Sequence, residues 1–289
     1  RWGLERGPVL VQTPRVGYAV RLSCVRCHAR AQCAACTGPL ELTTPTSPLR
    51  CRWCGTEETA WACAECGGSG LRAPVLGDAR TAEEFGRAFP KVPVIASSGD
   101  RIRDEIDATP RIVVATPGAE PVAEGGYAVV VLLDTWWALG RDSLRAAEEA
   151  VRRWVNAIGL VGAGGRAMVV GDPAAPPLQA LVRWDPAGFA AREATERAEA
   201  RLPPATRVAT LTGTPGAVDD LQALLALPPS ADILGPVPVL GGDDEEERLV
   251  LRVPRADGLA LAGALGEAQR LRSARKLAAV RIQVDPYDL

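Results

Sequence analysis

Two textures alternate along the chain. Short aliphatic runs, PVLVQT (8–13), APVLG (73–77), VPVIA (92–96), RIVVAT (111–116), YAVVVLLD (127–134) and RAMVVG (166–171), are separated by amphipathic stretches, TAEEFGRAF (81–89), DRIRDEI (100–106) and residues 142–160. Continuous apolar runs of this length fit strands buried on both faces, and the amphipathic stretches fit the segments that cover them. The pattern predicts a parallel, doubly wound α/β sheet. Thr81 with Glu84 three residues on has the form of a helix-starting capping box. GAGG (162–165) follows a helix and precedes a strand, the reverse of the strand, glycines, helix order of a phosphate loop, so it is expected to be a turn.

After a helix over 186–200, Pro203 and Pro204 break helicity and mark a boundary. The segment beyond that boundary has its own period. RVATLTG (207–213) reads as a strand, AVDDLQALLAL (217–227) as a helix and ADILGPVPVL (231–240) as a proline-limited edge strand. RLVLRVP (248–254) reads as an alternating strand, 256–273 as a helix and AVRIQVDP (279–286) as the last strand. That order, βαββαβ, predicts a ferredoxin-like C-terminal domain over 201–289. The acidic run 243–247 fills the turn between the two middle strands as solvated charge.

All eight cysteines fall between Cys24 and Cys66, in four CxxC pairs: Cys24/Cys27, Cys33/Cys36, Cys51/Cys54 and Cys63/Cys66. A CxxC turn aims two thiolates at one metal, and two such turns complete the tetrahedral four-sulfur shell of a structural zinc site, so four turns predict two Zn2+. A disulfide framework needs an oxidising compartment, and a redox pair needs one CxxC beside a βαβ unit. Spacing favours, without requiring, a nested pairing: Cys33, Cys36, Cys51 and Cys54 on one ion, and Cys24, Cys27, Cys63 and Cys66 on the other. His28, the single histidine, reads as a loop residue, since eight thiolates already fill two shells. Trp53 and Trp61, beside Arg50 and Arg52, could stack on single strands, but in so small a module aromatics more often pack on the metal turns.

The 289 residues amount to about two domains of ~150 residues each. With 47% hydrophobic and 24% charged residues the chain is too apolar for intrinsic disorder, and it has no ~18-residue apolar run and no signal-peptide core. A cytoplasmic protein with no membrane partner is expected. A start at Arg1 with Met168 as the one methionine is what an excised piece of something longer would show. The net charge of −2 gives no global attraction to polyanions. No GxxxxGK[ST] occurs, and no catalytic triad can form without His28. Arg252, Arg255, Arg270, Arg272, Arg275 and Lys276 make one end of the C-terminal domain basic. Of these, Arg255, Arg270, Arg272, Arg275 and Lys276 are the candidate DNA contacts.

Specific strings resemble the PriA family of primosomal proteins along essentially the whole chain. Arg15, Gly17, Tyr18 and Ala19 match its RRGYA ahead of the first CxxC, and DSLRAAEE (142–149) resembles DFRAAER. Phe189, Glu193, Arg197, Pro203 and Pro204 keep its F, E, R, PP spacing, and LGPVP (234–238) and VDP (284–286) resemble its C-terminal strings. The resemblance implies a RecA-like second helicase lobe (1–16 plus 73–200), an inserted two-zinc module (17–72) with nested pairing, and a C-terminal domain (201–289). It also implies recognition of stalled or abandoned forks, or single-stranded DNA, and reloading of the replicative helicase, with other primosome components and single-stranded DNA-binding protein as partners. Two helicase motifs depart from the pattern. The family's QVAGRAGR, which supplies arginine fingers, corresponds to NAIGLVGAGG (156–165), and GTQMLAKGHDF to ATPGAEPVAEG (115–125), which keeps Thr116. An arginine finger is worth about 10³ to 10⁵ in phosphoryl-transfer rate. The resemblance is therefore to the degenerate helicase-like form of actinobacteria, and no ATPase activity of its own is expected. The alternatives are an ATP-dependent helicase, if an upstream half carries an intact phosphate loop, and a zinc-ribbon protein with an unrelated partner.

Overall fold

The computed structural model describes residues 1–14, 20–27, 29–42, 48–51, 54–72, 78–141, 143–239 and 246–288. The expected strand at 73–77, Arg15 to Ala19, His28, Arg52, Trp53, Asp142 and most of the acidic run lie outside them. The chain divides into two compact units, Arg1–Pro186 and Ala187–Leu289.

In the first unit β1 (Val9–Gln12) leads into six short strands: β2 (Val20–Arg21), β3 (Ser23–Cys24), β4 (Leu40–Leu42), β5 (Leu49–Cys51), β6 (Glu57–Glu58) and β7 (Leu71–Arg72). Then come α1 (Asp78–Ala88), β8 (Val94–Ser97), β9 (Glu105–Ile106), β10 (Ile112–Ala115), β11 (Val122–Ala123) and β12 (Tyr127–Leu132). Helices α2 (Thr135–Leu139) and α3 (Ala146–Ile158), strand β13 (Val161–Val169) and helix α4 (Pro176–Arg183) complete the unit. The main sheet is parallel, in the order β13-β12-β1-β10-β8. Both faces are packed, which is why its strands carry no alternation. Leu10, Val113, Val130 and Leu132 meet Trp154 of α3 and Leu178 and Leu181 of α4. On the other face Val11, Ile112 and Val114 meet Ala82, Phe85 and Phe89.

Three local expectations give way. Helix α1 starts at Asp78, so Thr81 is buried inside the helix and caps nothing; Asp78 instead accepts a hydrogen bond from Ser98. The amphipathic stretch 100–106, expected to cover the sheet, instead ends in a short strand of its own, Glu105 and Ile106 pairing with Val122 and Ala123. GAGG is not a turn but the first part of β13. Tyr127 pairs with Val161 and Val129 with Arg166, so Gly162 to Gly165 form a wide bulge opposite Ala128. A Cβ on Gly162 would fall 2.3 Å from the Gly125 carbonyl, so backbone here approaches backbone.

The second unit carries α5 (Pro186–Glu199), β14 (Thr206–Gly213), α6 (Pro215–Leu224), β15 (Asp232–Pro238), β16 (Glu247–Pro254), a 3₁₀ turn (Arg255–Asp257), α7 (Gly258–Ala274) and β17 (Arg281–Val284). The sheet is antiparallel in the order β15-β16-β14-β17. Ala209, Leu211, Leu249, Leu251 and Val253 point to one face, where α6 and α7 bring Val218, Leu221, Leu261 and Leu265. This is the split βαβ arrangement of a ferredoxin-like domain. Arg201 pairs with Asp232 at 2.9 Å, and Arg252 donates to the carbonyls of Ala200 and Arg201. These bonds tie the end of α5 to the antiparallel sheet.

Candidate metal centres

Each CxxC pair is built by a tight turn with one repeated hydrogen-bond pattern. The first cysteine's N–H donates to a carbonyl five residues on: Cys24 to Ala29, Cys33 to Gly38, Cys51 to Thr56 and Cys63 to Gly68, all at 2.8–2.9 Å. In three turns the residue at position four returns an N–H to the first cysteine's carbonyl, and there the chain turns left-handed: Thr37 (φ 60°), Gly55 (φ 72°) and Gly67 (φ 69°). That conformation suits glycine and strains threonine. The first cysteine of each pair is buried, and the second is half-buried or exposed.

These turns bring Cys24, Cys27, Cys63 and Cys66 together, and separately Cys33, Cys36, Cys51 and Cys54, with all four Sγ atoms of each set within 4.8 Å. The pairing is nested. Across the pairs the Sγ atoms lie 3.5 Å (Cys24 to Cys66), 3.4 Å (Cys27 to Cys63), 3.7 Å (Cys33 to Cys54) and 3.4 Å (Cys36 to Cys51) apart. A tetrahedron with metal–sulfur bonds of ~2.3 Å has edges of about 3.8 Å. Both tetrads can hold a metal ion.

Four thiols this close cannot all ionise without a cation between them. The N–H groups of Cys27 and Arg26 hold Cys24 down to about 7, against its burial, and the Thr56 hydroxyl and N–H hold Cys54 at about 6. The Ala29 N–H draws Cys27 down, but Cys66, burial and Cys63 outweigh it and carry the thiol up to about 12. At Cys36 the Gly38 N–H is outweighed in the same way by Cys54, burial and Cys51, again to about 12. Burial leads the rise at Cys33. Around the tetrads Leu22, Ala31, Leu40 and Trp61 form a small core, and Trp61 donates its Nε1–H to the Gln32 carbonyl at 3.2 Å. Trp61 is thus packing and offers no face for a base.

The basic residues of the second unit do not gather at one end. Helix α7 has 17 residues and is about 25 Å long, with Arg255 before its start and Arg270, Arg275 and Lys276 at its finish. Arg255, Arg270, Arg275 and Lys276 are exposed, and Arg270 pairs with Glu267. Arg272 is a correction: only 2% of it is exposed, and its Nη2 donates to the Ala278 carbonyl at 2.7 Å. It continues the buried stripe Leu261, Leu265, Ala268 and is out of reach of a phosphate. Arg252 is also engaged, pairing with Asp232 at 2.8 Å.

Residues 198–287 match the family profile of the primosomal protein N C-terminal domain. Over 296 residues, 98% of the chain, it is 48% identical to the probable replication restart protein PriA of Mycobacterium leprae, and it covers 46% of that relative. Over 311 residues it is 46% identical to the protein of the same name from Mycobacterium tuberculosis, covering 48% of it. Over essentially its whole length the chain is similar to these PriA proteins. It spans about half the length of the curated relatives it matches. The PriA C-terminal domain takes in the whole antiparallel sheet with α6 and α7. The spaced Phe189, Glu193 and Arg197 have structural places just ahead of it, with Phe189 buried and Glu193 pairing with Arg197 at 3.1 Å.

Proposed function

We propose that the chain is the DNA-engaging, primosome-assembling part of a cytoplasmic replication restart protein, one that recognises abandoned forks and helps reload the replicative helicase without hydrolysing ATP itself. The similarity to proteins named probable replication restart protein PriA, over 98 to 100% of the chain, carries this reading. In it the parallel sheet (1–16 plus 73–200) is a degenerate RecA-like helicase lobe 2, and 17–72 is an inserted zinc module. Residues 201–289 are the C-terminal domain, and other primosome components and single-stranded DNA-binding protein are the partners. Zn2+ fits both tetrads, because eight thiolates with the spacing above supply two closed tetrahedral shells and no open position for chemistry. The absence of arginine between Asn156 and Gly165 supports a non-hydrolytic role.

The test uses the full-length protein. Binding to forked and to linear duplex DNA, measured from about 50 to 200 mM salt, is expected to favour the fork at every salt concentration. Equal affinity for both, or no binding, overturns the reading. A second reading, an ATPase, is favoured by one observation: the Thr13 and Thr116 hydroxyls, at the carboxyl ends of β1 and β10, are buried and lack a hydrogen-bond partner. That edge is where parallel sheets bind ligands. DNA-stimulated ATP turnover, abolished by a phosphate-loop substitution upstream, would establish it.

A further inference from the structure

The helices cover one face of the antiparallel sheet, and the opposite face carries a different row of side chains. In register across three strands stand Arg248 of β16, Thr212 of β14 and Arg281 of β17. Their neighbours Leu249, Leu211 and Ile282 point into the core under α6 and α7, so the alternation of a strand sends this row to the opposite face. Strands lie ~4.8 Å apart, which sets the two arginine Cβ atoms about 10 Å from each other with the threonine between and beneath them. Thr212 is only 2% exposed, and its hydroxyl has no hydrogen-bond partner; the Nε of Arg248 is likewise buried and unpartnered. Arg281 is exposed, and neither arginine has a carboxylate partner among the described residues. Two cations without a carboxylate partner among the described residues flank the orphaned hydroxyl and form a polar cradle that those residues do not satisfy.

We infer that Arg248, Thr212 and Arg281 form an oxyanion site for one backbone phosphate of a nucleic acid strand that meets the C-terminal sheet at this row, on the face away from α6 and α7. The inference rests on the DNA-binding reading above and gives it an address apart from the exposed cations at the end of α7. Arginine's planar fork binds phosphate oxygens in pairs, and the threonine hydroxyl donates from below. Val237 pairs with Arg248 in the next strand and is 53% exposed, so it offers apolar surface beside the phosphate for the sugar.

The experiment titrates a fluorescent 20-nucleotide oligothymidylate with full-length protein across a salt series. Changing Arg248 and Arg281 together to Gln is expected to weaken binding about tenfold at 0.1 M salt and to lower the slope of log affinity against log salt by about 0.7, one single-strand phosphate. Replacing both by Lys keeps the charges and should keep the slope while losing the paired geometry. Thr212→Val, which removes the hydroxyl alone, should weaken binding severalfold with the slope unmoved. Arg281→Gln by itself changes an exposed side chain and guards against misfolding of the double variant; it should show part of the same slope change. DNA binding by the unaltered protein with an unmoved slope in both glutamine variants overturns the cradle and leaves the function standing. No DNA binding by the unaltered protein overturns both. Loss of binding to phosphatidylglycerol vesicles instead of DNA assigns the row to a membrane surface and overturns it as well.

Discussion

The cysteine module and the C-terminal sheet are stabilised by different physics. The C-terminal sheet buries a continuous apolar layer, with Leu211, Leu249, Leu251 and Leu261 at 0% exposure under two helices. The module has two- and three-residue strands, and half of its core cluster is cysteine. A segment with so little apolar area does not offset its chain entropy by burial alone, and a metal held by each sulfur tetrad would supply the difference. The contrast separates what can fail alone: metal loss should unfold one region and leave the other, and a cavity should do the reverse.

The largest effect expected is from metal removal. Structural zinc sites contribute about 10 to 16 kcal/mol of apparent binding free energy. A strong chelator should release two zinc ions per chain, by elemental analysis, and abolish amide protection over 20–72 while 206–284 stays protected. Loss of protection in both regions would mean that they fold as one unit. Cys33→Ser should release one ion only, because Cys33 shares no ligand with the Cys24, Cys27, Cys63, Cys66 set; loss of both ions would show the two sites to be coupled.

Next is a cavity in the other region. Leu251→Ala removes a fully buried side chain and should cost about 2 to 5 kcal/mol in denaturant unfolding of the C-terminal domain, with metal content unchanged. A fall in bound zinc would break the comparison.

The pH response should again divide the two. Without metal, Cys27 and Cys36 are carried up to about 12 and keep their protons at pH 8, so binding zinc there must release at least one proton per site. Cys24, held near 7, and Cys54, held near 6, take up protons as the pH falls through those values. Zinc affinity therefore falls as pH falls, and more steeply below about pH 7. Titration calorimetry in buffers of different ionisation enthalpy measures the proton count; a pH-independent affinity would contradict thiolate ligation.

The smallest effect concerns one turn. Gly67 has φ 69°, and Ala there should cost about 1 kcal/mol and weaken the Cys24, Cys27, Cys63, Cys66 site about fivefold. Gly86→Ala, inside α1 with open space around its Cβ, should stabilise by up to about 1 kcal/mol and leave metal affinity alone. Equal effects on metal binding would show that the glycine in the turn matters for general stability only.

The two cysteine tetrads were legible in the sequence because a CxxC turn is a local object, its geometry set by a handful of consecutive residues. The C-terminal strands were legible for a related reason: RVATLTG and RLVLRVP are aliphatic runs bounded by clear breaks, and each falls within a residue of a strand in the structure. The misreadings have non-local causes. GAGG carries no apolar signal, and only the partner strand β12 makes a strand of it. Residues 100–106 read as an amphipathic covering segment, but Glu105 and Ile106 are captured by pairing with β11. Arg272 carries a local signal of its burial, since it sits eleven residues after Leu261 on the same helical face, and its charge masks that signal. Thr212, Arg248 and Arg281 lie in three separate strands, and no pattern along the chain could have joined them before the register was known.

The pairing of β3 with β7 has a consequence for how the parallel sheet assembles. Ser23 lies opposite Arg72 and Cys24 opposite Leu71, so the polypeptide enters and leaves the cysteine-rich segment through one narrow neck. Between Gln12 and Val94 the chain runs about 80 residues, but once the neck is zipped only about 30 of them still count as slack. By the logarithmic dependence of ring closure on length, that shortening lowers the entropic cost of uniting the two ends by about 0.9 kcal/mol. A segment that seals its own entrance is nearly invisible to the sheet that hosts it. Its length and sequence can therefore drift while the register of Val9 with Ile112 and Val129 is kept.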